Sequence, residues 1–362
     1  MRITAKIKIA LLILLSANSV AVVWAQQIGK ETVKIETIDY QSLISKADLI
    51  YTKPPKRSQD GLPVGNGKMG SLIWTNPQAI SYQINRIDVF SINADTRTFD
   101  GTPRDYCGGS GLVDIDFQSN EAVFTDENFL QHLSCYDGTV ETDGKGIQTK
   151  TFIWNDADVM AIKVIDSRIF QTPAVVNLRA LRAMIVQRGK HKAISKMEII
   201  GDKIVLTQEF SENKYFCKSA VAIAIPDNKT RAWISKDTEL KLSTITGSRN
   251  YTVLISSTAT FDSKVDVVAR VIEQLDQATS KGFDKMLVSN KDWWHSFWEQ
   301  SYIQLHSPDR EADYVSKNYA YYLYLMGSAS RGDYMVKFNG MLWNTDGDTR
   351  AWGGSYWGAN QS

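Results

Sequence analysis

Short apolar stretches separated by turn residues run along the chain from about residue 35 to residue 260. The stretch from Ile80 to Ile84 alternates apolar with polar positions, which is the two-residue period of a half-buried strand. Because Gly, Asn, Asp or Pro separates most of these stretches, the pattern predicts a sandwich of antiparallel sheets. The predicted strands are residues 71–74, 80–84, 113–117, 149–154, 159–165, 203–207, 220–225 and 251–255.

Near residue 261 the apolar positions change to a helical period. Ser263 with Asp266 resembles a capping box, and a first helix is expected to follow it. A second helix is expected to begin at Ser307 as its cap, with Pro308 in its first position. The apolar face of the first helix consists of Val267, Val268, Val271, Ile272, Leu275 and Ala278. The apolar stripe of the second consists of Ala312, Val315, Tyr319, Tyr322, Leu323 and Met326.

The expected fold is therefore mostly β, followed by α from about residue 262. About 100 residues remain after that point, and they are too few for a large all-helical domain. We expect the chain to be cut short, so that it carries only the first part of its helical domain.

The N-terminus has the pattern of a secretory signal. Arg2, Lys6 and Lys8 precede an apolar run over residues 9–23, and small residues at 23 and 25 predict cleavage after Ala25. The run is short and broken for a bilayer span, which needs roughly 20 apolar residues. We therefore favour cleavage over a membrane anchor, expect no stable membrane insertion afterwards, and expect a periplasmic or extracellular location.

Charge and cysteine content limit the classes of function that the chain could have. Lys and Arg number 41 against 40 Asp and Glu, so the broad basic surface of a nucleic-acid-binding protein is not expected. The three cysteines are Cys107, Cys135 and Cys217, and at least one of them has no partner within the chain. Cys107 could pair with Cys135 in an exported protein, or all three could be buried thiols. No C-x-x-C pair occurs, so no structural metal site is expected.

Residues Gly65 to Gly70 satisfy the G-x-G-x-x-G pattern of dinucleotide-binding proteins. That site requires a strand before the glycines and a helix after them, so that the helix N-terminus meets the pyrophosphate. A predicted strand follows these glycines instead, so we interpret the segment as a tight turn and expect no cofactor. The segment Asp346–Asp348 resembles a calcium loop only in part, and we interpret it as a solvated turn.

Tryptophan is abundant towards the C-terminus, with six of the ten lying between residues 293 and 357. Trp293, Trp294 and Trp298 have helical spacing, and we expect them to pack a helix against the sandwich. Trp343, Trp352 and Trp357 lie among Gly, Asn and Asp, in loop-like sequence where binding sites usually lie. Indole rings stack on sugar rings while their N–H groups bind hydroxyls, so packing and sugar binding both stay open for these three.

Several segments resemble the glycoside hydrolase family 95 enzymes, the inverting α-L-fucosidases and their relatives. A related uncharacterised family of exported bacterial proteins with the same architecture is the alternative resemblance. The matching segments are Leu62–Gly70, Tyr82–Asn85, Tyr322–Gly332, Asn339–Asn344 and, more loosely, Trp352–Gln361. Arg86 departs from the pattern, since the family has Glu there. The resemblance implies a β-supersandwich over residues 26–261, a helical linker over 262–306 and the first part of an (α/α)6 barrel over 307–362, after the signal peptide 1–25.

The resemblance also implies an inverting mechanism, in which an acid protonates the leaving oxygen and a base activates water. The family's acid and base lie further along than residue 362, so we assign no catalytic residue within this chain. We expect Trp343, Asn344, Trp352 and Asn360 to line a sugar pocket.

The predicted function is that of a secreted carbohydrate-active protein. We interpret the chain as the N-terminal portion of a glycoside hydrolase acting on plant or host oligosaccharides or polysaccharides, inactive as this chain alone. A non-catalytic carbohydrate-binding sandwich is the first alternative, and a purely structural sandwich is the second.

Overall fold

A computed structural model describes residues 38–90, 104–105, 108–337, 340–343 and 349–350. The chain divides into two units, Met1–Asp39 and Tyr40–Ser362, and the helices and strands of the described residues belong to the second unit. The helices are α1 (Tyr40–Ile44), α2 (Val267–Lys281), α3 (Phe283–Gln300) and α4 (Glu311–Ala329). The strands are β1 (Leu49–Tyr51), β2 (Leu62–Gly65), β3 (Met69–Asn76), β4 (Ala79–Arg86), β5 (Arg104–Asp105), β6 (Gly109–Asp116), β7 (Leu130–Ser134), β8 (Thr139–Gly144), β9 (Ile147–Trp154), β10 (Val159–Asp166), β11 (Val175–Arg179), β12 (Ile185–Arg188), β13 (His191–Ile200), β14 (Lys203–Glu212), β15 (Tyr215–Ala224), β16 (Thr230–Lys236), β17 (Glu239–Thr244), β18 (Asn250–Thr260) and β19 (Thr349–Arg350).

Most of these strands form two large antiparallel sheets. In the described residues one sheet has ten strands in the order β1-β7-β8-β9-β10-β18-β15-β14-β13-β12. The other has seven strands in the order β16-β17-β11-β6-β4-β3-β2, and β19 pairs with β5 in a small ribbon. The prediction of a mostly β fold built from antiparallel sheets is confirmed, and each of the eight predicted strands coincides with one in the structure.

The main core lies between the two sheets, and a second core lies on the outer face of the ten-stranded sheet. Strand β10 shows both, because its side chains alternate between the two faces. Met160 and Ile162 belong to the cluster between the sheets, whereas Val159 and Ala161 belong to the cluster covered by α2 and α3. Burial on both faces explains why residues 159–162 of this strand form a continuous apolar run.

Helix α2 buries the face that its sequence predicts. Val271 and Leu275 are fully buried against the ten-stranded sheet. The cap differs from the expectation, because Asp266 itself is the N-cap. Its carboxylate accepts hydrogen bonds from the backbone N–H groups of Val268 at 2.9 Å and Ala269 at 3.1 Å, so Ser263 takes no part in the capping bonds.

Helix α4 departs from its prediction in start and in orientation. It begins at Glu311 rather than Pro308, because residues 307–310 form a turn that ends at Arg310, with φ of 67°. The predicted stripe is largely wrong, since Val315 and Tyr322 are more than half exposed, although Leu323 packs against the core. The buried residues are Tyr324, Gly327, Ser328 and Ala329. Residues 320–329 are apolar around most of the helix, so spacing alone could not identify the contacting face.

Other expectations meet the structure only in part. In the described part of the chain after residue 307, α4 is the single long helix, so the barrel and the domain boundaries stay predictions. Cys135 and Cys217 are free and buried, while Cys107 lies outside the described residues. Among the helices that the structure describes, none is long and apolar enough to cross a membrane.

Candidate functional site at the glycine turn

The glycines at 65–70 connect strands β2 and β3, so a strand lies on either side of them. Gly67 has φ of 86°, a left-handed conformation that favours glycine. The interpretation as a tight turn is confirmed, and these glycines lack the strand–helix context of a dinucleotide site. We refer to residues 62–70 as the glycine turn.

Asn66 holds the glycine turn in place. The side chain is 7% exposed, and its Nδ2 donates to the Asp158 carboxylate at 3.0 Å and to the Trp154 and Ala157 carbonyls at 3.3 Å. Its Oδ1 accepts from the backbone N–H groups of Lys68 at 3.1 Å and Met69 at 2.9 Å. One buried amide therefore both closes the turn and ties it to the β9–β10 connection.

Arg86, at the end of β4, is a buried cation that joins distant parts of the chain. Its side chain is 2% exposed and binds Asp88 through Nε and Nη2, both at 2.8 Å. Its Nη1 donates to Asp158 at 2.9 Å and to the Ser257 carbonyl at 2.8 Å. Burial lowers the pKa of Arg86, but the two carboxylates outweigh burial and raise it, so the guanidinium stays charged.

The end of helix α4 contacts the glycine turn directly. The N–H of Gly67 donates to the Ser328 carbonyl at 2.8 Å, and the Tyr324 hydroxyl donates to the Pro63 carbonyl at 2.8 Å. A Cβ at Gly65 would overlap the Ser328 carbonyl, so the close approach of helix and turn requires glycine there.

Residues 340–343 lie on the same turn. Trp343 is 7% exposed, and its Nε1 donates to the Val64 carbonyl at 3.0 Å. A Cβ at Gly70 would overlap Leu342 and lie 3.0 Å from Nε1 of Trp343. Asn85 of β4 pairs with Gly70 of β3. Four of the segments that carry the family resemblance therefore meet at one place, although up to 280 residues separate them along the chain.

Arg331, just beyond α4, packs against the tryptophans of α3. Its guanidinium lies 3.3 Å from the ring centroid of Trp293 and donates to the Gly327 carbonyl and to Oδ1 of Asn155. Within the described residues no carboxylate forms an ion pair with Arg331. Burial accordingly lowers its pKa to about 9.

The tryptophans of α3 pack as expected from their helical spacing. Trp294 is 1% exposed and stacks on Tyr324 at 5.0 Å between ring centroids. Trp298 is fully buried, and its N–H donates to the Cys135 carbonyl at 3.1 Å. These contacts attach α3 and α4 to the sandwich.

The residues expected to line a sugar pocket are only partly covered by the structure. Asn344, Trp352 and Asn360 lie outside the described residues. Trp343 is described, and its ring packs against the glycine turn with its N–H already bonded. The pocket therefore stays a prediction.

Sequence reasoning missed the polar residues that organise this site, namely Asn66 as a hub, Arg86 with its two carboxylates, and Arg331. The departure of Arg86 from the family pattern was the available signal, because a cation in place of an acid needs new partners. In the described part of the chain, no group of three His, Cys, Asp or Glu side chains could hold a metal ion. The bonded groups position backbone segments, which is a structural role.

Known proteins resemble this chain in part of its sequence and in its fold. Residues 50–221 match a family described as a domain of unknown function, DUF5703. No curated protein gave a significant match. A protein from the human microbiome described as a kojibiose phosphorylase superposes with a TM-score of 0.51 at 14% identity, over 78% of this chain and 42% of that one. This chain thus spans about two fifths of that protein, and the likeness shows the fold.

Two weaker matches are glycosidases. A GH92 family glycosyl hydrolase matches with a TM-score of 0.43 at 12% identity, over 86% of this chain and 44% of that one. The GH92 α-mannosidase of Bacteroides thetaiotaomicron, bound to mannoimidazole, matches with a TM-score of 0.42 at 9% identity, over 86% and 42%. The family 95 assignment stays a prediction. The fold of the chain is that shared with the phosphorylase.

Proposed function

We propose that this chain belongs to a secreted carbohydrate-active protein, and that it is the N-terminal portion of a glycoside hydrolase acting on plant or host oligosaccharides or polysaccharides. The convergence at the glycine turn supports this proposal most. Segments chosen only for their resemblance to inverting glycosidases contact one another through buried hydrogen bonds, as parts of one shared architecture would. The fold shared with a protein described as a kojibiose phosphorylase is consistent with it.

The proposed chemistry is inverting hydrolysis. One carboxylic acid protonates the leaving oxygen, and a carboxylate roughly 6.5–9.5 Å away activates water on the opposite face of the sugar ring. Both groups would come from barrel helices beyond residue 362, so the chain alone would not hydrolyse glycosides. Asn344, Trp352 and Asn360 would line the sugar pocket, and Trp343, fixed to Val64, would position the start of that loop.

The test is an activity assay on the complete gene product, purified free of host glycosidases. Aryl glycosides, including fucosides, galactosides and mannosides, and plant oligosaccharides serve as substrates, and NMR at early times identifies the anomer released. We expect turnover with inverted product, and none from residues 1–362 alone. A retained anomer would contradict the mechanism, and no turnover on any substrate would contradict the enzyme assignment.

Export is proposed with the same function. N-terminal sequencing of the protein recovered from the medium or periplasm should begin at Gln26. An uncleaved N-terminus in the cytoplasm would contradict it.

A non-catalytic carbohydrate-binding role is the second candidate. One observation favours it, an open cleft on the sandwich that lies away from the glycine turn.

A further inference from the structure

A cleft of about 520 Å³ lies at one end of the sandwich. It is formed by the connection after β6, the β8–β9 turn and the segment that follows β10. Its lining includes Gln118, Asn120, Val123, Lys145, Ile169 and Phe170. None of the residues that line it belongs to the glycine turn, so this is a separate site.

The walls of the cleft are held in place by hydrogen bonds. Arg168 binds Asp166 through Nε at 2.9 Å and Nη2 at 2.6 Å, and it also donates to the Phe117 carbonyl at 3.1 Å. Thr172 donates to that same carbonyl at 2.7 Å. The segment 166–172 is thereby attached to the end of β6, so a ligand would meet a preformed surface.

The mouth of the cleft exposes two large apolar side chains in succession. Ile169 is 84% exposed and Phe170 is 85% exposed. A neighbouring pair of this kind leaves a continuous apolar surface in water, and covering it with a ligand would favour the complex because apolar surface is removed from water. An exposed aromatic ring also offers a flat face to the C–H groups of a ligand.

The polar side chains of the lining include two amides, Gln118 and Asn120, that are free to bind a ligand. The side chains of Gln118 and Asn120 make no hydrogen bond to any residue in the described ranges. Gln118 is nevertheless fixed in position, because it adopts φ of 48° and its backbone N–H donates to Asp116 at 2.8 Å. Side-chain amides both donate and accept, which suits hydroxyl groups.

The charges around the cleft are paired. Lys145 forms an ion pair with Glu121, and Arg168 forms one with Asp166. Among the described lining residues, every cation is paired with a carboxylate, so none is left to attract an anionic ligand. The lining carboxylate is likewise paired with a cation. The lining therefore fits a ligand that is uncharged, rich in hydroxyl groups and apolar on one face.

We propose that this cleft binds a neutral sugar ring of an oligosaccharide, which stacks on Phe170 and places its hydroxyls against Gln118 and Asn120. The site would hold the glycan independently of any catalytic pocket. This inference goes beyond the proposed hydrolysis, because it assigns a binding surface to the sandwich itself.

The experiment is calorimetric titration of the purified chain with cellotetraose, xylotetraose, mannotetraose and maltotetraose, and with tetragalacturonate as a charged comparison. We expect at least one neutral tetrasaccharide to bind. Phe170→Ala should weaken that binding about tenfold, since it removes the stacking face. The double variant Gln118→Ala/Asn120→Ala should weaken it similarly.

The matched control is Tyr314→Ala, which removes an aromatic ring that is 65% exposed on α4. It should leave affinity unchanged, and circular dichroism melting should show that all variants stay folded, because the altered side chains are exposed.

Three outcomes would overturn the proposal: no binding of any neutral tetrasaccharide, unchanged affinity in Phe170→Ala, or tighter binding of tetragalacturonate. The result is separable from the proposed hydrolysis. If the sugar binds through Phe170 but the complete gene product has no glycosidase activity, the binding site is supported and the proposed hydrolysis is contradicted. If the complete gene product is active but the cleft binds no sugar, the proposed hydrolysis is supported and the binding site is contradicted.

Discussion

The glycine turn and the cleft at the end of the sandwich both concentrate polar side chains, but they differ in whether those groups are already bonded. At the glycine turn, the amide of Asn66 is buried and bonded on both its nitrogen and its oxygen. In the cleft, the amide of Asn120 is exposed and has no hydrogen bond within the described residues.

This difference separates structural from ligand-binding polar groups. A buried polar group that loses its partner retains the cost of desolvation, so the bonded groups of the glycine turn must matter for stability. An exposed group bonded only to water loses little when it is removed, and it can exchange water for a ligand hydroxyl. We therefore expect substitutions at the glycine turn to lower the stability of the fold, and substitutions in the cleft to leave stability unchanged but weaken ligand binding.

The largest loss of stability is expected when Arg86 is replaced. Arg86→Met would leave Asp88 and Asp158, both mostly buried, without their shared cation. We expect the free energy of unfolding to fall by about 3–5 kcal/mol, measured by urea denaturation at pH 7. Arg270→Met, which alters an exposed arginine on α2, serves as the control and should change it by less than about 0.5 kcal/mol. A loss below about 1 kcal/mol at Arg86 would contradict the structural role.

The sequence could predict much of this fold, but not the Arg86 network. The strand at 159–165 and the buried face of α2 follow from local periodicity, which the chain carries within ten or twelve residues. Asp88 is close to Arg86 in the sequence, but Asp158 and Ser257 lie 72 and 171 residues away, so no local pattern indicates them. The orientation of α4 failed for a related reason, because its apolar sequence offers more than one face.

The next largest loss of stability is expected at Asn66, and Asn120 of the cleft provides a direct comparison. Asn66→Ala removes an amide that satisfies buried backbone groups, and we expect the free energy of unfolding to fall by about 2–3 kcal/mol. Asn120→Ala should change it by less than about 0.5 kcal/mol. Urea denaturation of both variants makes the comparison, and similar losses at the two positions would break the distinction between the regions.

A smaller effect is expected at Gly70. Gly70→Ala would place a Cβ against Leu342 and near Trp343, and we expect a loss of about 1–3 kcal/mol from overpacking. In a Leu342→Ala background the same change should cost clearly less, because space has been made. A cost equal in both backgrounds would show that Leu342 does not press on this turn.

The smallest change in the free energy of unfolding is expected at Asp137, which is half-buried. Burial raises the pKa of Asp137, but hydrogen bonds from Lys291 and His295 outweigh burial and hold that pKa below its usual value of 3.8. Its stabilising contribution is therefore present above about pH 4 and is lost as the pH falls through the lowered pKa. Asp137→Asn should cost about 1 kcal/mol or less at pH 7, and the difference from the parent chain should disappear in strong acid. A difference that persists or grows towards pH 2 would contradict this assignment.

The most direct test of the distinction is hydrogen–deuterium exchange with and without a neutral tetrasaccharide at saturating concentration. If the free groups of the cleft contact the sugar, peptides covering 118–123 and 167–172 should gain protection at short exchange times, while those covering 62–70 should not change. Protection at 62–70, or none at 118–123 and 167–172, would contradict the claim that the cleft is where this chain holds a sugar.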